Sequence, residues 1–135
     1  MEFIKSLFGY NDTRFYYLSL IKESSGWSIH GLWPQLSKDS YPEYCKKVTF
    51  SYDTLLPIID RLNAVWYSNE EPNKDFWKHE WEKHGSCVFN NMNELEYFQK
   101  TLDLYKYSVE NNLFDKYAEG DKCLIPFDLD FNIIN

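Results

Sequence analysis

Two short segments of this chain concentrate the residue types that move protons. The 135 residues include three histidines. Two of them, His79 and His84, share the segment FWKHEWEKHGSC (Phe76 to Cys87) with Glu80 and Lys83. At roughly 100° per residue, His79, Glu80, Lys83 and His84 fall on one helix arc about 140° wide. Trp77 and Trp81 lie on the neighbouring side, suited to anchor the helix in a core, and Lys78 and Glu82 are left for solvent. One face thus offers two imidazoles, a carboxylate and an ammonium, the groups of general acid–base catalysis and of charge stabilisation. Such a cluster, taken alone, is ordinarily a solvated face with a Glu80–Lys83 salt bridge. The third histidine changes that balance, because His30 lies in the other unusual segment, WSIHGLWP (Trp27 to Pro34). On a regular strand His30 points the same way as Ser28 and Leu32, with Trp27, Ile29 and Gly31 opposite. A lone strand histidine is ordinarily a hydrogen-bonded core residue.

The elements that must position these groups follow from periodicity. Residues 14–21 (RFYYLSLI) are aromatic and apolar and read as a buried strand. Lys22 to Gly26 reads as a turn, Trp27 to Trp33 as a second strand ended by Pro34, and Gln35 to Lys47 as a polar loop. From Asp53 to Tyr67, Leu55, Ile58, Ile59, Leu62 and Trp66 recur at helical spacing, with Pro57 in the first turn where its missing N–H costs least. After a turn at Asn69 to Asn73, Lys74 to His84 is expected to be a helix ended by Gly85. Asn93 is expected to cap the next helix, whose stripe is Leu95, Phe98, Leu102, Tyr105 and Val109. Phe127, Leu129, Phe131 and Ile133 alternate with polar residues, which predicts a half-buried terminal strand. Strands and helices without regular βαβ alternation predict an α+β fold, a central antiparallel β-sheet packed with several α-helices. No internal repeat or linker divides the chain, so residues 1–135 are expected to form a single domain.

Composition sets limits on partners. Aromatic residues make up 19% of the chain, which suits a packed β-rich core or stacking on nucleic-acid bases. The net charge of −7 argues against broad electrostatic binding of nucleic acid, so any RNA must be met by a small local cluster of positive charge. A sequence pI near 4.9 favours work at mildly acidic pH. No run is long enough to span a membrane. The stretch from Met1 to Phe15 lacks the apolar core of a secretory signal, so either the protein stays inside a cell or a leader is absent from this chain. Asn11-Asp12-Thr13 is a glycosylation triplet of a kind common by chance. Cys45, Cys87 and Cys123 allow one disulfide with one thiol left over, or three reduced thiols.

Taken together, WSIHGLWP and FWKHEWEKHGSC resemble the two active-site segments of the RNase T2 family, the acid endoribonucleases that include S-RNase-like enzymes. Weaker resemblance extends to FYYLSL, to YFQKTLDLYKY (Tyr97 to Tyr107) and to the final CLIPFDLDFNII. The resemblance implies cleavage of single-stranded RNA through a 2′,3′-cyclic phosphate to 3′-phosphate ends, with no metal and no cofactor. DNA, which lacks the 2′-hydroxyl nucleophile, is excluded as a substrate. It further implies His84 as base on the 2′-hydroxyl, His30 as acid on the departing 5′-oxygen, Lys83 and Glu80 as stabilisers of the phosphorane, and His79 as a phosphate contact. The residues by themselves do not say which histidine is acid and which is base. Trp33 and Phe76 match positions that line base subsites. Tyr41 and Tyr44 lie in the following loop, where a further base contact is expected.

The same resemblance pairs Cys45 with Cys87 and leaves Cys123 unpaired, its usual partner being missing. A monomer, secreted or in an acidic compartment, is the corresponding expectation. The chain is shorter than the family commonly is, lacking material between the last helix and last strand and an extra N-terminal disulfide. Two other readings compete. Cys45, His79, His84 and Cys87 are the residue types of a zinc site, although His79 and His84 are spaced five apart rather than the four of HExxH. A shortened scaffold that binds without catalysis is the second.

Overall fold

The aromatic run before His30 folds into β1 (Phe15–Glu23), which pairs antiparallel with β2 (Gly26–Gln35) through a tight turn. On its other side β1 pairs antiparallel with a late strand, Lys122–Phe127, itself preceded by the two-residue strand Ala118–Glu119. Numbered in chain order these are β4 and β3, and the sheet order is β2-β1-β4-β3. The computed structural model describes residues 12–135. Asn11 of the glycosylation triplet, and most of the stretch read for a leader, lie outside the described residues. Among the described residues four α-helices accompany the sheet: α1 (Ile59–Val65), α2 (Asn73–Lys83), α3 (Glu94–Glu110) and α4 (Leu113–Tyr117). This is the expected α+β arrangement, a central antiparallel sheet packed with helices. No helix among the described residues is long and apolar enough to cross a membrane.

Period-two alternation places Tyr16, Leu18 and Leu20 of β1 on one face, fully buried against Leu62, Trp66, Phe98 and Leu102 of the helical layer. β2 continues through Pro34 to Gln35, past the expected stop. It is an edge strand, where a proline's missing N–H need not break a ladder. The helix expected from Asp53 divides instead into a 3-10 run, Tyr52–Ile58, holding Pro57, and then α1.

Four expectations need correcting. Gly85 does not end α2 through a left-handed turn. It lies in a 3-10 turn, Gly85–Cys87, where an added Cβ would meet the Trp81 ring, 2.8 Å from Cζ3 or nearer. Asn93 does cap α3, in a reciprocal capping box with Glu96. The buried stripe of that helix, however, is Tyr97, Phe98, Thr101, Leu102, Leu104 and Ser108, while Val109 is exposed. Thr101 and Ser108 are tolerated there because their hydroxyls donate to the carbonyls of Tyr97 and Leu104. The terminal strand ends at Phe127. Asp128 then accepts hydrogen bonds from the backbone N–H groups of Asp130 and Asn132 and turns the chain, leaving a single bridge between Phe127 and Ile133. The alternation beyond Phe127 therefore belongs to a turn, with Phe131 at a φ of 63°.

The cysteines supply the fourth correction. Cys45 and Cys87 form a disulfide, which overturns the alternative of three reduced thiols and leaves Cys123 as the free cysteine. Cys123 is 1% exposed within the sheet core, its Sγ donating to the Phe114 carbonyl. No thiol is presented at the surface by any of the three.

Candidate active site

His30 owes its orientation to a break in the strand. The β1–β2 register runs Ser19 against Gly31 and then Leu20 against Ile29, so His30 is an extra residue with no partner. Such a bulge re-aims a side chain without ending the strand. Consequently Ile29 and Leu32 both enter the core, and His30 is turned away from Leu32 rather than aligned with it. Its backbone is held by Trp66, whose Nε1 donates to the His30 carbonyl at 3.2 Å. Nearby, Ser28 Oγ accepts from Tyr67 N and donates to the Val65 and Tyr67 carbonyls, which fixes the segment after α1 against the same strand.

The second segment is held as expected. Trp77 and Trp81 are buried, and their indole N–H groups donate to the carbonyls of Trp66 and Thr49. Lys78 and Glu82 pair with each other at 2.9 Å on the solvent side. The Glu80–Lys83 salt bridge of the ordinary reading is not what forms. Lys83 Nζ lies 3.7 Å from Glu43, and Glu80 is 1% exposed, its Oε1 accepting from Trp33 Nε1 at 3.0 Å. Gly31 makes that approach feasible, since a Cβ there would lie 2.6 Å from Trp33 Nε1 and nearer still to Glu80 Oε1.

Trp33 is the hub. Its ring stacks on His84 at 5.1 Å and 25°, meets His30 edge-on at 5.0 Å, and bonds Glu80. His30, Phe76, His79 and Glu80 line an open cleft of about 410 Å³, faced by residues 67–71. The His30 and Phe76 rings are 5.6 Å apart. Lys83 and His84 do not line this cleft; His84 adjoins it through Trp33 and has the Tyr41 ring 6.1 Å away on its other flank. Of the seven residues singled out in the sequence, His30, Phe76, His79 and Glu80 share the cleft, Trp33 and His84 join them through ring contacts, and Lys83 turns to Glu43. Tyr41, Glu43, Gly31 and the carboxylates Glu70 and Glu71 join them. Of these only Tyr41 carried a sequence signal, as an aromatic in the loop where a base contact is expected.

Burial sets the protonation states. It pushes the Glu80 pKa up to about 8, against the Trp33 hydrogen bond and the Lys83 charge that lower it. Burial, then the charges of Lys83, His30 and His79, holds His84 down at about 3. Burial also lowers His30, followed by His79, Lys83 and Lys122. The 3.9 Å approach of His30 Nε2 to Glu80 Oε2 is therefore a contact between two neutral groups near neutral pH, not an ion pair. Cys45 and Cys87 are bonded to each other and cannot serve as the thiolates of a Cys₂His₂ zinc site.

The chain is similar to several known ribonucleases. Ribonuclease DdI of Dictyostelium discoideum is 40% identical over 86 residues, covering 62% of this chain and 39% of that protein. Ribonuclease Oy of Magallana gigas is 37% identical over 100 residues, covering 67% and 46%. The chain therefore spans less than half the length of these curated relatives. Among solved structures, ribonuclease MC1 from bitter gourd seeds superposes with a TM-score of 0.71 at 19% identity, over 89% of this chain and 92% of that one. An RNase-related protein from Calystegia sepium gives 0.72 at 17% identity, over 93% and 91%. Likenesses at such low identity speak for the fold. The profile of the ribonuclease T2 family, in contrast, matches residues 10–118, a span that takes in the His30 bulge, all of α2 and the disulfide, and on that match the chain belongs to the ribonuclease T2 family.

Proposed function

We propose that the protein is an endoribonuclease that cleaves single-stranded RNA by transphosphorylation, without a metal, through a 2′,3′-cyclic phosphate to 3′-phosphate ends. The observation that carries this reading is the meeting of His30, Glu80 and His84 around Trp33, groups from two distant segments on one surface. RNA brings its own nucleophile beside the phosphorus, so the protein need only move two protons and stabilise charge. The shared core of the described elements supports treating the chain as one catalytic domain.

In this mechanism His84, neutral because it is buried, removes the 2′-hydroxyl proton as the oxygen attacks phosphorus. His30 delivers a proton to the 5′-oxygen as the P–O bond breaks. A bound phosphodiester carries negative charge, which draws both imidazole pKa values back up toward the working range. Glu80, protonated below about pH 8, is suited to donate a hydrogen bond to a phosphorane oxygen, while Lys83 supplies charge and His79 holds a phosphate oxygen. Hydrolysis of the cyclic ester reverses the two proton transfers. Trp33, Phe76 and Tyr41 line the flanks where bases would lie.

Incubation with RNA and with matched DNA in EDTA at mildly acidic pH tests the proposal, with products identified by mass. Cyclic-phosphate and 3′-phosphate ends from RNA, with DNA untouched, are the expected outcome; a strict divalent-metal requirement would overturn it. His30→Ala and His84→Ala should each lower the rate by about 10² or more.

A further inference from the structure

An acidic chain that binds a polyanion needs a place where positive charge is left over. At most cations among the described residues a carboxylate or an aromatic ring is already in place: Arg14 with Asp12, Lys78 with Glu82, Lys83 with Glu43, Arg61 with Asp103, and Lys22, Lys74, Lys100 and Lys116 over aromatic rings. Lys38, Lys106 and Lys122 are exposed single cations outside that set, whereas Lys46 and Lys47 are adjacent in the chain. They are exposed and have no ion-pair partner among the described residues. With Tyr44 and Val48 they line a surface concavity of about 340 Å³ whose one carboxylate, Glu82, is taken by Lys78. Glu43, the other nearby acid, is taken by Lys83. The patch is therefore net positive on a molecule that is otherwise negative.

Its position is tied to the candidate active site. Tyr44 N donates to the carbonyl of Lys83 at 2.9 Å, Cys45 N donates to Ser86 Oγ at 3.0 Å, and Cys45 is bonded to Cys87. The loop is thus fastened to the end of α2, immediately past the Tyr41 flank of His84. Tyr44 has a φ of 48° and is 56% exposed. A tyrosine in the left-handed region is strained, and here the strained residue presents a large ring to solvent at the concavity that Lys46 and Lys47 also line. An exposed aromatic platform beside cations is how single-stranded nucleic acid is held without sequence readout, the ring taking a base and the cations the adjoining phosphates.

We propose that Tyr44, Lys46 and Lys47 form a non-catalytic subsite for single-stranded RNA, holding a nucleotide beyond the scissile step on the Tyr41 side. This rests on the RNA-cleaving reading above, and the experiment separates the two. One substrate is a dinucleoside monophosphate. The other is a ten-nucleotide strand carrying the same step at its centre, every other position being 2′-O-methylated so that one bond alone is cleavable. The variants are Lys46→Ala/Lys47→Ala and Tyr44→Asn, asparagine being a residue that tolerates the left-handed backbone.

On the ten-mer the lysine variant should raise KM about tenfold and reduce the salt slope by about two, while the tyrosine variant raises KM with the slope unchanged. On the dinucleotide kcat/KM should stay within about twofold for both, since neither variant touches the scissile phosphate. Equal behaviour of wild type and variants on the ten-mer, or an equal loss on both substrates, would overturn the subsite. If the wild-type protein cuts neither substrate the cleavage reading fails. Fluorescence anisotropy with a fully 2′-O-methylated ten-mer then decides the subsite by itself: weaker binding by the lysine variant supports it, and an unchanged Kd removes it.

Discussion

Glu80 in the last turn of α2 and His84 at its C-cap lie four residues apart, and burial acts on them in opposite senses. The Glu80 pKa rises from 4.5 to about 8, so the native state holds a proton the unfolded chain has lost between those values. That contribution to stability is complete below pH 4.5 and is lost as pH rises through 8. The His84 pKa falls from 6.5 to about 3, so here the unfolded chain holds the extra proton. Its contribution is complete above pH 6.5 and is lost as pH falls through 3, and the lowered His30 acts in the same direction. Between about pH 4.5 and 6.5 the two slopes oppose, and Tm measured by calorimetry should be near its maximum there and fall on both sides. Glu80→Gln should flatten the alkaline decline; a decline that persists in this variant would mean that another group causes it. Gly31→Ala should displace Glu80 from Trp33, with about 1–3 kcal/mol lost from overpacking and activity lowered about 10²-fold from misplacement. Denaturant melts and steady-state rates on the same preparation would check both figures.

The elements carry the site through a few attachments. The bulge at His30 sets which face of β2 the imidazole occupies, and the disulfide ties the loop bearing Tyr41 and Tyr44 to the end of α2. The closed loop has a sequence separation of 42, for which the chain-entropy treatment gives about 4 kcal/mol. Cys45→Ser/Cys87→Ser should lose stability on that scale and more activity than stability alone explains, because Lys83 and His84 lose their support. A fully active double variant at a temperature where it stays folded would show the tether to be dispensable. By contrast, Asn93→Ala breaks the capping box of α3 far from the cleft. It should cost about 1 kcal/mol and leave kcat unchanged, as a urea melt and a rate measurement would show.

At the scale of the whole molecule, a net charge of −7 allows little long-range attraction for RNA, so binding must come from local cations and stacked rings. In the mechanism we propose Lys83 serves the scissile phosphate, and Lys46 and Lys47 belong to the proposed subsite beyond it. The salt dependence of kcat/KM should then correspond to about one phosphate on a dinucleotide and about three on a longer strand. A slope of six or more would point to a wider basic surface than the described residues contain.

The sequence alone determined the two segments, the residue types, the arc of α2 and the α+β class. These depend on local periodicity and on rare residues, Trp and His, at fixed spacings. It also carried the cap at Asn93, because a capping box is complete within four residues. Only the tertiary structure decided that His30 is a bulged residue, that Lys83 pairs with Glu43 rather than Glu80, and that Trp33 touches His30, Glu80 and His84 together. The terminal alternation misled because the Asp128 side chain outcompetes the ladder for nearby N–H groups. Register, burial and the pKa values that follow from burial depend on which distant surfaces meet. A protein interior is close-packed, so one inserted residue in a strand or one glycine beneath a carboxylate decides where a proton is held.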